Sequence, residues 1–216
     1  MKNIIQDNKW FLYPFFCYLF LGFIVLCVLK KGDEIWFLNQ LHAPIGDMIM
    51  KYLTDLGDGL FAAFIILSLL WIRYDYFLVG LVAFGVNALV VQFLKRIIFS
   101  DMVRPLKYFG EQAGLHLVEG VTVHQNFSFP SGHANTVFMV FCLVSLASNT
   151  KKIGLLYFLV ALVVSFTRPY LVQHFFIDIY VGALIAVTIT LLLWNSLLQH
   201  RSIAQNPRWQ KSLRKK

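Results

Sequence analysis

The chain has 216 residues, of which 58% are hydrophobic and 14% are charged, and its formal net charge is +8. Soluble globular domains are about half apolar and about a quarter charged, so this composition excludes an ordinary soluble domain and predicts a helical membrane protein. The basic residues are divided between a C-terminal tail and short loops, so membrane topology explains the charge and no nucleic-acid partner is expected.

Long apolar runs predict an all-α, polytopic membrane protein built as a six-transmembrane-helix bundle. The predicted spans lie near residues 11–29, 59–72, 76–94, 134–148, 153–166 and 179–198. Several are shorter than the about 17 to 25 residues that cross a bilayer, and small polar residues complete their ends. Asn87 and Asn135 are expected to hydrogen-bond between spans. Residues 1–200 would form one membrane-embedded domain, followed by a basic cytoplasmic tail, 201–216.

Two regions outside these spans have recognisable patterns. Between the first two spans, apolar residues recur at helical spacing after Pro44, which predicts an amphipathic helix in the membrane interface. They are Ile45, Met48, Ile49, Tyr52, Leu53 and Leu56. Residues 99–130 form the longest loop, and loops of this length are usually functional or disordered. We interpret its residues His116, His124, Asp101, Glu111 and Glu119 as solvated.

The Lys and Arg residues indicate how the bundle is oriented. Six spans place both termini on one side, and that side holds most of the basic residues, including those of the tail. The positive-inside rule then predicts cytoplasmic termini. The opposite face, which carries loop 99–130, would meet the periplasm or the exterior.

Charged and imidazole side chains gather at the outer ends of the predicted helices. Such groups are costly near a bilayer, so their positions indicate a functional site. In chain order they are Lys95, Arg104, Ser131 and Gly132 with His133, Arg168, His174 and Asp178. All fall on the outer side of the predicted topology, although they come from separate segments. We therefore expect an active site at the outer rim of the bundle.

Part of this cluster suits phosphate binding. Lys95, Arg104 and Arg168 supply three cations, two of which can hold phosphate oxygens in a bidentate fork. Ser131 and Gly132 precede a predicted helix, where a hydroxyl, a free amide and the helix dipole all favour an anion.

The remaining residues suit phosphoryl transfer. His174 and Asp178 are four residues apart, so on one helix the carboxylate would hold one ring nitrogen while the other attacks phosphorus. His133 would protonate the departing alkoxide and then activate water. Because the cations already supply the electrostatic stabilisation that a metal would give, no metal or other cofactor is expected.

The same residues resemble the motifs of the type 2 phosphatidic acid phosphatase superfamily. The run FPSGH at 129–133 is similar to its second motif, and TRPYLVQHFFID at 167–178 is similar to its third. Lys95 with Arg104-Pro105 is similar to its first. The resemblance implies a six-helix membrane bundle whose active site faces away from the cytosol, with the residue roles given above.

The first motif departs from the family pattern. Eight residues separate Lys95 from Arg104, where the family has six. Either the loop bulges by two residues and Arg104 still reaches the phosphate, or Lys107 or Arg96 takes over part of its role. In the third motif, Thr167 replaces the usual Ser and keeps a hydroxyl.

The resemblance implies a metal-independent lipid phosphatase of the bacterial inner (cytoplasmic) membrane that acts through a phosphohistidine. Its partners would be a lipid phosphate substrate and membrane lipids, with no obligate protein partner. Family substrates include lipid A phosphates, undecaprenyl pyrophosphate, phosphatidylglycerol phosphate and phosphatidic acid, and we favour the first two. Two alternatives stay open: a lipid phosphotransferase with the same site, and a catalytically weak lipid-binding or transport protein.

Overall fold

The computed structural model describes residues 2–199 and 206–214. These residues form helices and no β-strand, which confirms the predicted all-α class. The α-helices are α1 (Lys2–Asp7), α2 (Lys9–Val28), α3 (Asp33–Asn39), α4 (Pro44–Leu53), α5 (Gly59–Ser68), α6 (Tyr74–Phe93), α7 (Pro105–Phe109), α8 (Gly132–Ala147), α9 (Gly154–Tyr170) and α10 (Phe176–Gln199). Short 3-10 turns occur at Thr54–Gly57, Leu69–Trp71, Glu111–Ala113 and Lys151–Ile153, and a π-helical turn, Leu94–Ile98, continues α6.

Four helices within the described residues are long and apolar enough to cross a membrane. They are Lys9–Val28, Tyr74–Ile98, Lys151–Tyr170 and Phe176–Leu198. A fifth candidate is bent, because Pro44–Gly57 and Gly59–Trp71 meet at 55° and reach the required length only together. The apolar helix Gly132–Ala147 has 16 residues, which rise about 24 Å against a hydrocarbon core of about 30 Å. The chain has the helices of a membrane protein, and the count of six spans stays a prediction.

The helix predicted between the first two spans is α4, which begins at Pro44 as expected. Its apolar residues Ile45, Met48, Ile49 and Tyr52 are exposed, Ile45 at 71% and Tyr52 at 65%, whereas Leu53 packs against the core of the bundle. The turn Thr54–Gly57 joins α4 directly to α5, so the two helices form one bent unit. An outward apolar face is what an interfacial helix requires, and the interfacial position itself stays a prediction.

Helix α8 lies at the centre of the bundle, where it packs against α5, α6, α9 and α10. The amide of Asn135 on α8 donates to Oδ1 of Asn87 on α6 (3.0 Å) and to the carbonyl of Gly182 on α10 (3.2 Å). This confirms the hydrogen bond predicted between the third and fourth apolar segments. A Cβ atom at Gly182 would lie 2.7 Å from the carbonyl oxygen of Ser131. Glycine therefore lets α10 approach the turn that precedes α8.

The described part of the C-terminal tail, residues 206–214, packs against the connection between α5 and α6. The N–H of Leu213 donates to the carbonyl of Leu70 (3.0 Å), and the N–H of Tyr74 donates to the carbonyl of Lys211 (3.0 Å). Because α6 runs from Tyr74 toward Lys95, the tail lies at the opposite end of the bundle from Lys95. Residues 201–205 and 215–216 of the predicted tail lie outside the described residues, and its boundary at residue 200 stays a prediction.

Candidate active site

The residues predicted to form the site meet at one end of the bundle. The positive charges of Lys95, Arg104 and Arg168 act electrostatically on the ring of His174. The same cations act on His133, as does His174. The positions are Lys95 in the π-helical turn after α6, Arg104 before α7, Ser131 to His133 at the start of α8, Arg168 near the end of α9, and His174 and Asp178 around the start of α10.

The candidate nucleophile, His174, is held by Asp178. Its Nδ1 lies 3.2 Å from Oδ2 of Asp178, and that oxygen also accepts hydrogen bonds from the Phe175 N–H (3.0 Å) and the Ser128 hydroxyl. Their spacing suggested that the two side chains share a face of one helix. They do not, because α10 begins at Phe176 and His174 lies in the turn before it. Asp178 binds both the ring and the backbone of this turn and so fixes the imidazole.

The surroundings of His174 keep its ring neutral. The residue is 1% exposed. Burial, and then the charges of Arg104, Lys95 and Arg168, lower the pKa of His174 well below its ordinary value. A neutral imidazole has one nitrogen with a free lone pair. Because Nδ1 faces Asp178, Nε2 is the nitrogen left for attack on an electrophile.

Three buried cations surround this imidazole. Lys95 and Arg104 are each 9% exposed, and Arg168 is 6% exposed. Asp178 acts electrostatically on Lys95 and Arg104 while it also holds His174. Nη1 of Arg168 donates to Thr54 Oγ1 at 2.7 Å, but its Nε is buried and has no hydrogen-bond partner among the described residues. Buried cations repel one another, and a bound anion would offset this repulsion. Phosphate oxygens match the geometry of guanidinium donors, so phosphate is a suitable anion.

Arg104 reaches this cluster despite the longer first motif. Its Nε donates to the carbonyl of Asn126 (3.0 Å), and its Nη1 donates to Oε1 of Gln173 (2.8 Å). Residues 99–104 fold against residues 125–128, since the N–H of Arg104 donates to the Gln125 carbonyl (2.9 Å) and the N–H of Ser128 donates to the Met102 carbonyl (2.9 Å). The extra length is taken up by this pairing.

The two proposed substitutes for Arg104 lie outside the cluster of buried cations. Lys107 is exposed and donates to Oδ1 of Asn126 (2.8 Å). Arg96 is exposed, donates to Gln92 (3.0 Å) and lies over the ring of Phe127. The geometry therefore favours the bulged loop over replacement of Arg104.

The turn before α8 uses some of its donors within the protein. Ser131 is the N-cap of α8, and its Oγ accepts a hydrogen bond from the Ala134 N–H at 3.4 Å. The Ser131 N–H donates to the Asp178 carbonyl at 3.0 Å. An anion would therefore meet the Ser131 hydroxyl hydrogen and the Gly132 amide. Apart from its chain neighbours and the backbone of its own helix, nothing lies within 4 Å of a Cβ built at Gly132.

His133 has a carboxylate partner that the sequence patterns do not predict. Its Nε2 lies 2.7 Å from Oδ1 of Asp58, in the bend between α4 and α5. The two side chains are 31% and 48% exposed, so the pair lies at the open side of the cluster. This contact joins the start of α8 to the bent unit.

Residues 76–202 match the family model of the PAP2 superfamily. The chain belongs to the PAP2 superfamily. The fold is similar to the crystal structure of Aquifex aeolicus LpxE, with a TM-score of 0.67 and 22% identity over 76% of this chain and 94% of that chain. It is also similar to the first transmembrane PAP2 type phosphatidylglycerolphosphate phosphatase from Bacillus subtilis, with a TM-score of 0.62 and 22% identity over 89% and 96% of the two chains. Among curated protein sequences, none matches this chain.

In this PAP2 protein, several side chains outside the predicted set contact the motif residues. They include those of Thr54, Asp58, Ser128 and Gln173. Ser128 directly precedes the second motif, Gln173 lies within the third, and each is 1% exposed. A polar residue at or next to a motif was the only sequence feature that could have indicated them. Thr54 and Asp58 lie far from the motifs in sequence, and no pattern connects them to Arg168 or His133.

We predict that Gln173→Ala lowers kcat/KM for a lipid phosphate by about 10- to 100-fold, because a buried hydrogen bond to a charged group contributes about 1.5 to 3 kcal/mol. Gln173 would act by positioning Arg104, so KM should rise more than kcat falls. Asn126→Ala is the matched control, because Asn126 holds Arg104 through its backbone carbonyl and only its link to Lys107 is lost. Steady-state kinetics of both variants test this, and equal losses would contradict the positioning role.

Proposed function

We propose that this PAP2 protein is an integral membrane phosphatase that hydrolyses a phosphate monoester or diphosphate of a lipid head group through a phosphohistidine at His174. The observation that carries the proposal is the convergence of three buried cations on one buried, neutral imidazole. An anion site alone needs no nucleophile, whereas phosphoryl transfer through an enzyme-bound intermediate needs both.

Substrate phosphate would bind between the three cations and the start of α8. Arg104 and Arg168 would each hold phosphate oxygens, and the unpartnered Nε of Arg168 would gain an acceptor. Lys95 would add a point charge, while the Gly132 amide and the Ser131 hydroxyl complete the oxygen contacts. These donors would also stabilise the charge that develops on the phosphoryl oxygens during transfer.

Two displacements at phosphorus would then follow. Nε2 of His174 forms a P–N bond while the bond from phosphorus to the leaving oxygen breaks. The leaving oxygen is the lipid oxygen of a monoester or the bridging oxygen of a diphosphate. His133, which would carry a proton once the negative phosphate offsets the charges of the three cations, gives that proton to the leaving oxygen. His133 next takes a proton from water, whose oxygen bonds to phosphorus as the P–N bond breaks and inorganic phosphate leaves. Asp178 orients His174, and Asp58 orients His133. The cations supply the charge stabilisation, so no step requires a metal.

We place the reaction at the outer face of a six-span bundle in a bacterial inner membrane. The termini would be cytoplasmic, as the tail lies at the end of the bundle opposite Lys95. The substrate would diffuse laterally in the outer leaflet and enter between helices. Lipid A phosphates and undecaprenyl pyrophosphate are the favoured substrates, followed by phosphatidylglycerol phosphate and phosphatidic acid, because the long outer loop suits a bulky head group.

Purified protein in detergent, assayed with these four lipid phosphates in the presence of a chelator, tests the proposal. We expect inorganic phosphate from at least one lipid, with rates that rank the substrates. A well-folded preparation that binds lipid phosphate without releasing phosphate would instead indicate a lipid-binding protein. Phosphate that appears on an added acceptor lipid rather than in solution would indicate a phosphotransferase.

A further inference from the structure

A second group of ionisable side chains lies apart from the residues assigned to the phosphate site. It consists of His42 in the loop before α4, Asp47 in the first turn of α4, and His116 in the long outer loop. One nitrogen or oxygen atom from each lies within 4.8 Å of the others. His116, interpreted from the sequence as solvated, is half exposed but lies with Nε2 only 2.8 Å from Oδ2 of Asp47.

We propose that His42, Asp47 and His116 bind one Zn²⁺ ion. Two imidazole nitrogens and a carboxylate oxygen form a ligand set typical of zinc sites with an additional water ligand. Calcium and magnesium prefer sites made entirely of oxygen ligands, so they are poor matches. The proposal is independent of the phosphatase function.

The hydrogen bonds of His42 are the strongest support for a metal ion at this cluster. Its Nε2 lies 3.2 Å from the backbone carbonyl of Tyr170, and its Nδ1 lies 2.6 Å from Oδ1 of Asp47. The Tyr170 carbonyl oxygen can only accept a hydrogen bond, and the same holds for Oδ1 of Asp47 when its carboxylate is ionised. A neutral ring that donates from Nε2 to Tyr170 therefore points the lone pair of Nδ1 at a carboxylate. A cation between Nδ1 and Asp47, either a proton or a metal ion in its place, resolves this repulsion. A carbonyl on the far nitrogen is the usual outer partner of a zinc-bound histidine.

The other ligands are also held in place. The Asn39 side chain makes two hydrogen bonds to the His116 backbone, donating to its carbonyl and accepting from its N–H, both at 2.9 Å. The Tyr170 hydroxyl donates to Oδ1 of Asp47 at 2.7 Å. Zinc would displace the protons between these rings and the carboxylate to solvent. Tetrahedral ligands of Zn²⁺ lie about 3.3 Å apart, so the ligand atoms would have to separate by several tenths of an ångström, and the exposed His116 ring can move.

A zinc ion here would fix the outer loop over the phosphate site. Beside it, Val118 packs with Tyr170 and Leu171 in a core of three buried residues. The loop is also held by hydrogen bonds from Lys51 to the Glu119 carbonyl and from Gln173 to the Thr122 carbonyl, both at 2.9 Å. Further along the loop, His124 experiences the charges of Arg104, Arg168 and Lys95. The ion would thus anchor one end of a segment whose other end faces the cations.

Titration of the full-length, chelator-stripped protein with ZnCl₂ by calorimetry, in detergent and without a polyhistidine tag, tests this. We expect one zinc per chain, no comparable binding of MgCl₂ or CaCl₂, and a rise in melting temperature with zinc. His116→Ala should weaken binding by at least about 10-fold, the lower bound for removing even an outer partner of a metal ligand.

His124→Ala removes an imidazole from the same loop but none of the ligands, so it should bind zinc like the wild type. His42 is mostly buried, and if His42→Ala fails to fold, His116→Ala and Asp47→Asn still decide the matter because their side chains are more exposed. No zinc binding by the wild type, or unchanged binding by His116→Ala, would overturn the proposal.

Discussion

Replacing His174 by alanine should abolish phosphate release while leaving phosphate binding intact. The imidazole is the proposed nucleophile, and loss of a nucleophile that acts with its partners as a unit lowers kcat by at least about 10⁴-fold. The two arginines that would hold the phosphate donate to Asn126, Gln173 and Thr54 and do not depend on this ring for these hydrogen bonds. Phosphate release should therefore be undetectable, whereas calorimetry should still detect binding of orthovanadate.

The covalent intermediate gives this prediction an independent readout. Wild-type protein quenched during turnover of a ³²P-labelled lipid phosphate should carry acid-labile, base-stable label, as a P–N bond requires. His174→Ala should carry none. Asp178→Asn should slow labelling without moving its position, because the residue orients the ring and does not form the bond. Turnover by His174→Ala, or wild-type turnover with no labelled protein, would refute the mechanism.

The gathering of the candidate residues could be predicted from sequence because they are chemically out of place. Charged groups such as Lys95 and Arg168 at the ends of apolar segments are costly, so their gathering on one side indicated a function. The alternation of spans then placed them together. Their partners could not be predicted in this way. The contact of Asp58 with His133 joins segments far apart in sequence, and the packing of α5 and the turn Thr54–Gly57 on α8 brings them together.

The all-α class and several long helices could be predicted from the sequence, whereas the local geometry of the helices could not. Apolar length located α2, α6 and α10 because membrane-spanning helices need long apolar runs. It could not reveal that α4 and α5 form one unit bent by 55°, because the hydrophobic pattern records which face is apolar and not the angle at a break. It also gave no sign that Lys95 lies in a π-helical turn, since such turns depend on the local hydrogen-bond pattern rather than on composition.

The hydrogen bonds of Arg104 and Arg168 connect the fold of the bundle to the candidate site. Arg168 is held through Thr54, in the turn between α4 and α5, and Arg104 is held through Gln173, the residue before the proposed nucleophile. Each guanidinium is therefore fixed by a segment that also carries or contacts a histidine of the site. A change in the position of the bent unit would move Arg168 and the partner of His133 together.

Arg104→Ala should lower kcat/KM by about 10² to 10³-fold, the loss expected when one preorganised donor to developing negative charge is removed. Arg104 is buried, and the loop of the lengthened first motif carries it into the cluster. Lys107→Ala and Arg96→Ala are matched controls that each remove a nearby exposed cation. They should change kcat/KM by less than about 5-fold, because exposed charges contribute at most about 1 kcal/mol. Wild-type kinetics for Arg104→Ala, together with a large loss for either control, would show that the bulged-loop account is wrong and that another cation binds the phosphate.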